Sequence, residues 1–366
     1  MVKFSIDIAK KSDDADLKNI LRKTHMPGDM SLTFETEPSF FKAISILGIK
    51  QTVLAIRDEE KKIIVGFVIR SIKKVFIDEK ITNVGYLSSV RILEEYRGSR
   101  LLYLGVKKLN NILDKSLEKI NFTTIISDNF YAQKVISTSR VGLPNYVNIG
   151  VNKTFAIKPT KKNRYNSLSK IKIQRGIDGF SIEEIISFIN ENGKKKDFFP
   201  VFSKEILENL TSLNFNLNSM YVAYIENKLL GVIGCWDQTE FKQTIVKGLS
   251  LKYKLLRYIN NYFLTHIYDT PIITNVGKKI KAFYLNYIVI KESDKDIFSQ
   301  MIDAISNDYS SKDYNYFLVG LDQNDPLCGS MSNFRSFNYD AIVYLVNSNR
   351  KSLSKDRIKY LDISRL

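Results

Sequence analysis

The order of periodic segments along this 366-residue chain constrains its fold more than any other feature of the sequence. Segments with the two-residue alternation of strands and segments with the apolar spacing of helices follow one another as strand, helix, helix, hairpin, strand, helix and strand. That order occurs twice, first up to Ile157 and again from Ile171. An internal duplication is the simplest explanation, and it predicts two similar units of strands and helices.

A polar, basic stretch separates the two predicted units. Residues 158–170 contain Lys161-Lys162-Asn163-Arg164 and few large apolar side chains. We interpret this stretch as a linker, which predicts a first domain over residues 1–157 and a second over residues 171–366. The chain also exceeds the length at which one hydrophobic core usually keeps growing, so two domains are expected from size alone.

Two segments of the second half lie outside the repeated order. The aromatic, basic segment Glu240–His266 has no counterpart in the first half, and the aromatic stretch Phe241–Tyr268 is expected to pack the two halves together. Ile358–Ile363 alternates like a strand and is predicted to close the second sheet.

Composition narrows the class of protein. The net charge of +16 favours an anionic partner or substrate, such as a phosphorylated ligand, a nucleic acid or a membrane surface. The excess is spread over both halves, which equally suits a proteome whose surfaces are basic without function. Two cysteines and two histidines lack the spacing of zinc ligands or of a nucleophile signature, so neither a metal site nor a His-based triad is predicted.

The hydropathy pattern of the sequence predicts the cellular location of the protein. No apolar run approaches the roughly 18 residues that span a bilayer, and the amino-terminal residues lack the apolar region of a signal peptide. We therefore expect a cytoplasmic protein with free thiols and without a membrane partner.

One segment predicts a binding site for a phosphorylated ligand. Within Gly85–Leu109, a strand runs through a short turn containing Arg97-Gly98 directly into an amphipathic helix. Such a junction points unpaired backbone N–H groups at one spot, with the positive end of the helix dipole behind them. A pyrophosphate suits that site, because Gly98 permits close approach and Arg97 and Arg100 add positive charge.

The same segment resembles motif A of the GCN5-related N-acetyltransferase (GNAT) superfamily, in which a strand, a Tyr-Arg-Gly turn and a helix bind coenzyme A (CoA). The matching residues are Ile92-Leu-Glu-Glu-Tyr-Arg-Gly98. The sequence departs from the family at its later glycines, here Arg100 and Leu102, and at its usual proline, here Glu94. Downstream, Asn129-Phe-Tyr-Ala132 follows a predicted strand and resembles the beginning of motif B.

The resemblance implies an α/β (α+β) fold with two GNAT-like domains, each a mixed, mostly antiparallel twisted sheet flanked by helices. It implies acetyl-CoA as co-substrate and no metal. The residues that it assigns to CoA are the backbone of Val90 and Ile92 for the pantetheine arm, the amides of Arg97, Gly98, Ser99, Arg100, Leu101 and Leu102 for the pyrophosphate, and Asn129 near the pantetheine.

The catalytic groups of the family are not matched. Acyl transfer to an amine needs a group that removes its proton and a donor for the departing thiolate. Family members commonly use a Glu on the motif A strand and a Tyr in the motif B helix, whereas this strand has no carboxylate and Ile136 stands at the Tyr position. The substitutes are Asp128, Tyr131 and Glu35, followed by Glu37. Each also has a structural interpretation, a helix cap for Asp128 and packing for Tyr131.

The second half lacks the phosphate-binding chemistry. Its corresponding turn, Lys291–Asp296, has neither Gly nor Arg and carries three acidic residues, so it resembles a degenerate copy. The resemblance implies an acyl-CoA-dependent N-acyltransferase acting on a small-molecule or peptide amine. Two alternatives stay open: a tRNA-dependent aminoacyl transferase of the tandem-GNAT type, and a non-catalytic CoA-binding or scaffold protein.

Overall fold

Strands occupy the centre of the molecule. The computed structural model describes residues 4–97, 101–115, 117–137, 144–161, 170–346, 353 and 356–366; twelve of the described strands form one sheet and three form a second. The strands are β1 (Phe4–Ile8), β2 (Met30–Glu35), β3 (Lys50–Asp58), β4 (Ile63–Ile77), β5 (Lys80–Ile92), β6 (Asn121–Ile126), β7 (Tyr146–Ile157), β8 (Lys172–Arg175), β9 (Met220–Ile225), β10 (Lys228–Asp237), β11 (Gln243–Leu249), β12 (Lys279–Ile280), β13 (Ala282–Ile290), β14 (Tyr316–Asp322) and β15 (Ser336–Val346).

Helices lie between the strands in both halves. They are α1 (Asp14–Lys23), α2 (Phe40–Ile44), α3 (Leu101–Lys115), α4 (Phe130–Ser137), α5 (Ile182–Gly193), α6 (Lys204–Thr211), α7 (Leu251–Ile259), α8 (Thr265–Ile267) and α9 (Lys295–Tyr309), and the π-helical turn Asn260–Leu264 joins α7 to α8. Helix α5 begins with a capping box: the Glu184 N–H donates to Ser181 Oγ, and the Glu184 carboxylate accepts from the Ser181 N–H.

The large sheet is mixed and mostly antiparallel, as predicted. Its strand order is β1-β3-β4-β5-β6-β15-β7-β14-β13-β10-β9-β8. Among the described strands of this sheet, only β5–β6 and β13–β14 are parallel pairs, one in each half. The repeated order of elements therefore produces the same local topology twice.

The two halves exchange their last strands. β15 lies between β6 and β7, so that Ala341 is opposite both Ile126 and Asn152. β7 in turn pairs antiparallel with β14 of the second half, with Ile157 opposite Phe317. The sheet thus continues from one half to the other, and the predicted division at residues 158–170, which stays a prediction, separates segments that share a sheet.

A small sheet also links the halves. β2 pairs with β11, with Phe34 opposite Thr244, and β11 pairs with β12. Val246 and Ile280 pack against Ala156 and Leu318 of the large sheet. The expectation that the aromatic segment packs the halves together therefore holds for its strand β11.

In the helical part of that segment, the expectation of apolar packing between the halves is wrong. Most of the large apolar side chains of α7, the π-helical turn and α8 are exposed, and the polar Asn260 and Thr265 are buried instead. These helices therefore do not bury their apolar residues between the halves.

The prediction that Ile358–Ile363 forms a closing strand is also wrong. The segment makes one isolated bridge, Lys359 with Asp197, and ends in the 3₁₀ turn Ile363–Arg365. Its side chains are buried because the segment fills a cleft of the large sheet, not because it extends the sheet.

Candidate functional site

The strands β5 and β6 pair at their beginning and then separate. Their parallel pairing ends at Leu87 and Thr123, where Thr123 Oγ1 donates to the Leu87 carbonyl at 2.8 Å. Beyond this point β4 lies on one side of Ser88–Ile92, and no described strand pairs with these residues on the other. The result is a V-shaped cleft, one wall of which is an unpaired strand edge.

A bulge shapes that edge. The register with β4 shifts between Ile69 opposite Ser88 and Phe67 opposite Arg91. Ser89 within the bulge has a φ of 52°, in the left-handed region. Bulges redirect a strand and interrupt its ladder, and the side chain of the next residue, Val90, is 55% exposed. The predicted CoA residues Val90 and Ile92 therefore lie on the wall of the cleft.

Two buried polar atoms on this wall have no hydrogen-bond partner among the described residues: Ser88 Oγ and Arg91 Nε. Burial and the neighbouring charge of Arg97 lower the pKa of Arg91. Buried polar groups in proteins are nearly always hydrogen-bonded, so both atoms lack a partner that the described residues could supply. Sequence reasoning missed both residues, although their polar side chains interrupt an otherwise apolar strand.

The opposite wall ends at the beginning of α4. Ser127 Oγ donates to the Asp340 carbonyl at 3.0 Å, which fixes the end of β6 to β15. Asn129 Oδ1 accepts from the Ala132 N–H at 3.1 Å, so Asn129 provides the helix cap that was considered for Asp128. Asp128 itself is exposed.

The other predicted CoA residues lie near the beginning of α3. Arg97 is exposed, and its Nε donates to the Ile92 carbonyl at 3.4 Å. Leu101 is fully buried in the main core. The predictions for the remaining residues fall outside the described part of the chain, which leaves out Gly98, Ser99 and Arg100 altogether and the side chains of Leu102 and Tyr131.

The candidate base Glu35 lies on β2 in the small sheet. Its carboxylate accepts from Thr33 Oγ1 at 2.8 Å and forms ion pairs with Lys247 at 3.0 Å and Arg22 at 3.9 Å. Glu37 also pairs with Arg22. These contacts give both carboxylates a structural role in joining β2 to its neighbours, and a catalytic role for either stays a prediction.

The second half contains an equivalent cleft. β13 and β14 pair as parallel strands up to Tyr284 and Leu318 and then separate. A bulge follows in β13, where Tyr287 has a φ of 46°. Aligning the two bulges makes Ile288 the counterpart of Val90.

Residues 359–363 of the chain itself fill this second cleft. The Ile288 N–H donates to Tyr360 Oη at 3.0 Å, and the Asp322 carboxylate accepts from the Lys359 N–H at 3.1 Å. Ile363 packs so closely on Gly320 that a Cβ at that glycine would lie 2.4 Å from the Ile363 side chain. The strand edge that no described strand pairs with in the first half is therefore occupied in the second.

The helix that follows this second cleft is also capped by its own side chain. The Asp294 carboxylate accepts from the N–H groups of Asp296 at 2.8 Å and Ile297 at 3.0 Å. Because these amides are already satisfied by a carboxylate, the beginning of α9 is not available to a phosphate.

A partly buried amine lies where the carboxy-terminal segment crosses the large sheet. Lys73 Nζ donates to the Arg365 carbonyl at 2.5 Å and lies 4.7 Å from the centre of the Tyr86 ring. Burial lowers the pKa of Lys73 to about 7. Lys242 donates to the Ser364 carbonyl at 3.5 Å in the same region, and burial lowers its pKa to about 8.

The lowered pKa of Lys73 predicts a pH dependence of stability. Between pH 7 and about 10.5 the unfolded chain holds a proton on Lys73 that the folded chain lacks, so the free energy of unfolding rises with pH, by at most about 1.4 kcal/mol per pH unit. We expect urea denaturation of wild type and Lys73→Gln at pH 7, 8 and 9 to show wild type gaining stability relative to the variant. A constant difference across this range would contradict the prediction.

The described residues offer neither a cluster of metal ligands nor a helix suited to a membrane. No group of three or more His, Cys, Asp and Glu side chains there is placed to hold a metal ion. None of the described helices combines the length and the apolar character that crossing a bilayer requires. Cys235 and Cys328 are free thiols, and burial raises the pKa of Cys328 to about 11.

Solved structures share this architecture. The N-myristoyltransferase of Saccharomyces cerevisiae with bound myristoyl-CoA matches with a TM-score of 0.58 and 11% identity, over 95% of this chain and 83% of that chain. A GCN5-related N-acetyltransferase from Anabaena variabilis matches with a TM-score of 0.52 and 10% identity, over 95% and 73%. A probable N-acyltransferase from Enterococcus faecalis matches with a TM-score of 0.50 and 12% identity, over 94% and 73%.

The likeness is structural only. Neither a protein-family model nor the sequence of a curated protein matches this chain. Identities of 10–12% show the fold and not the activity. The chain therefore has the fold of the GNAT acetyltransferases, as the resemblance to motifs A and B predicted, and N-myristoyltransferase shares this fold.

Proposed function

We propose that this protein transfers an acyl group from a CoA thioester to an amine, with the donor bound in the first-half cleft. The observation that carries the proposal is the contrast between two equivalent clefts. Among the described residues, no strand pairs with the edge Ser88–Ile92 of the first cleft, whereas residues 359–363 fill the second. A protein of the same fold holds myristoyl-CoA, which supports a thioester donor.

The residues of the first cleft suit the parts of CoA. The edge Ser88–Ile92 would pair with the amides of the pantetheine arm, as an added strand does. Arg91 and Arg97 would supply positive charge for the phosphates, since guanidinium groups bind them with charge-assisted hydrogen bonds. Ser88 Oγ would satisfy its hydrogen-bonding capacity on a carbonyl of the arm.

The bound thioester supplies an electrophilic carbonyl carbon. Attack by the amine forms a C–N bond and breaks the C–S bond, so the amine must lose a proton and the thiolate must gain one. We propose Asp128 for proton removal because it is exposed at the end of β6, on the wall of the cleft, whereas Glu35 is paired with cations on the small sheet. Tyr131 remains the proposed donor to the thiolate.

We propose acetyl-CoA as the donor and a small-molecule or peptide amine as the acceptor, in the cytoplasm. The resemblance to motif A supports the acetyl group, and the myristoyl-CoA complex of the same fold makes longer chains the alternative to test.

The test measures release of free CoA thiol from acetyl-, octanoyl- and myristoyl-CoA in the presence of a panel of amines and short peptides. We expect thiol release to require both donor and acceptor and to be fastest with acetyl-CoA. Asp128→Asn, which preserves shape, should lower kcat by about 10²- to 10⁴-fold while the affinity for CoA, measured by calorimetry, is unchanged. Absence of CoA binding together with strong, salt-sensitive tRNA binding would overturn the proposal in favour of the aminoacyl-tRNA donor.

A further inference from the structure

The helical segment Leu251–Ile267 turns its apolar face to solvent. Leu251 is 83% exposed, Leu255 65% and Tyr262 68%. The other exposed members continue the same spacing of three or four residues along the helix, which places them on one face; they are Tyr258, Ile259, Phe263 and Ile267.

The fully buried residues of this segment are polar, and its other inward residues are half-buried. Asn260 and Thr265 are buried, and Asn260 Nδ2 donates to the Pro271 carbonyl at 2.8 Å. Thr265 Oγ1 donates to the Thr270 carbonyl at 2.7 Å, and its own carbonyl accepts from Lys158 Nζ at 2.9 Å. The orientation is the reverse of a surface helix that buries an apolar stripe, and hydrogen bonds hold it in place.

The charged side chains of the segment are all positive. Residues 241–268 contain no Asp or Glu. Lys252 and Lys254 are exposed beside Leu251 and Leu255. The guanidinium of Arg257 lies 4.8 Å from the centre of the Tyr258 ring, which keeps a third cation at the same face. A partner that binds this face must therefore be partly apolar and must carry negative charge.

We infer that this helical face docks the protein on an anionic lipid membrane surface, with the helix lying in the interface. Exposed Leu and Ile side chains enter the acyl boundary, Tyr and Phe lie at the level of the headgroups, and Lys and Arg contact anionic lipids. A nucleic acid would satisfy the cations but offers little to the aliphatic side chains, because it is bound through phosphates and through stacking on aromatic rings.

This inference does not depend on the proposed function. It is also compatible with the finding that none of the described helices could span a membrane, since a helix in the interface lies along the bilayer and does not cross it. The expectation of no membrane partner rested on the absence of a long apolar run, which bears on spanning alone.

The experiment is co-sedimentation of the full chain with vesicles of phosphatidylcholine alone or with anionic phosphatidylglycerol added, which gives the surface a negative potential. We expect binding to the anionic vesicles, weakened by high salt. Leu255→Glu combined with Tyr262→Glu should lower the partition by about ten-fold or more, since it puts two charges into the apolar face. Lys252→Ala should lower it by about five-fold.

The matched control is Ile81→Glu combined with Leu117→Glu, which also replaces two exposed apolar residues by acids, but elsewhere on the surface. It should bind vesicles like wild type. Thermal denaturation confirms that both double variants are folded. Equal vesicle binding by the two double variants would overturn the inference. Two other results would also overturn it. One is a wild-type dimer, seen by light scattering, that Leu255→Glu with Tyr262→Glu dissociates. The other is RNA binding without vesicle binding, where the same double variant abolishes the RNA binding.

Discussion

Affinity for CoA should fall by about 5- to 150-fold when Val90 is replaced by proline, the range expected when a buried acceptor loses its donor. The reason lies in the equivalence of the two bulges. The Ile288 N–H points into the second cleft and donates to Tyr360 Oη, so the N–H of its counterpart Val90 should point into the first cleft and reach the pantetheine arm. Proline removes this donor. Calorimetry with CoA and acetyl-CoA measures the loss.

The matched control is Val90→Ala. Since the Val90 side chain is 55% exposed, trimming it leaves the backbone donor and should change the affinity by less than about two-fold. Circular dichroism must show that Val90→Pro is folded. Unchanged CoA affinity in folded Val90→Pro would exclude this strand edge as the donor site, whereas equal losses in both variants would assign the effect to the side chain.

The second large effect is expected at Arg357, which neutralises a fully buried carboxylate. Arg357 Nε lies 2.9 Å from Asp197 Oδ1, and the same oxygen accepts from the Asp78 N–H at 2.9 Å. Arg357→Ala leaves Asp197 buried without this cation, so we expect the free energy of unfolding to fall by about 3–5 kcal/mol. Urea denaturation at neutral pH measures the change.

Two further variants identify the cause. Arg357→Ala combined with Asp197→Asn also removes the buried negative charge of Asp197. This double variant should recover part of the lost stability, because a neutral amide costs less to bury than a carboxylate. Lys204→Ala breaks an exposed ion pair with Glu183 and should leave the free energy of unfolding nearly unchanged. If the double variant is less stable than Arg357→Ala, the buried charge is not the cause.

Local structure could be predicted from the sequence to a large extent. Apart from the strands of the small sheet and the helices α7 and α8, the order of strands and helices in each half could be predicted, because the periodicity that indicates each element lies within a few adjacent residues. The strand Met30–Glu35 was missed because its partner, β11, lies about 200 residues away in an insertion. Alternation in Ile358–Ile363 indicated burial correctly but could not distinguish a strand from a segment that fills a cleft.

The site was predictable where a motif has a fixed spacing. The position of Val90 and Ile92 on the edge of a cleft followed from the resemblance to motif A. Ser88 and Arg91 were missed because their isolation depends on where β6 separates from β5, which no local pattern contains. The outward face of α7 was mispredicted for a related reason: apolar spacing defines a stripe but not the side that the protein buries.

The exchanged strands have a consequence for synthesis on the ribosome. Ser127, at the end of β6, is tied to Asp340 of β15, 213 residues later in the chain. During translation the edge of β6 therefore stays unpaired until most of the second half has emerged. An exposed strand edge of this kind can pair with other nascent chains. We expect this protein to fold mainly after its last strand has left the ribosome, and to depend on chaperones until then.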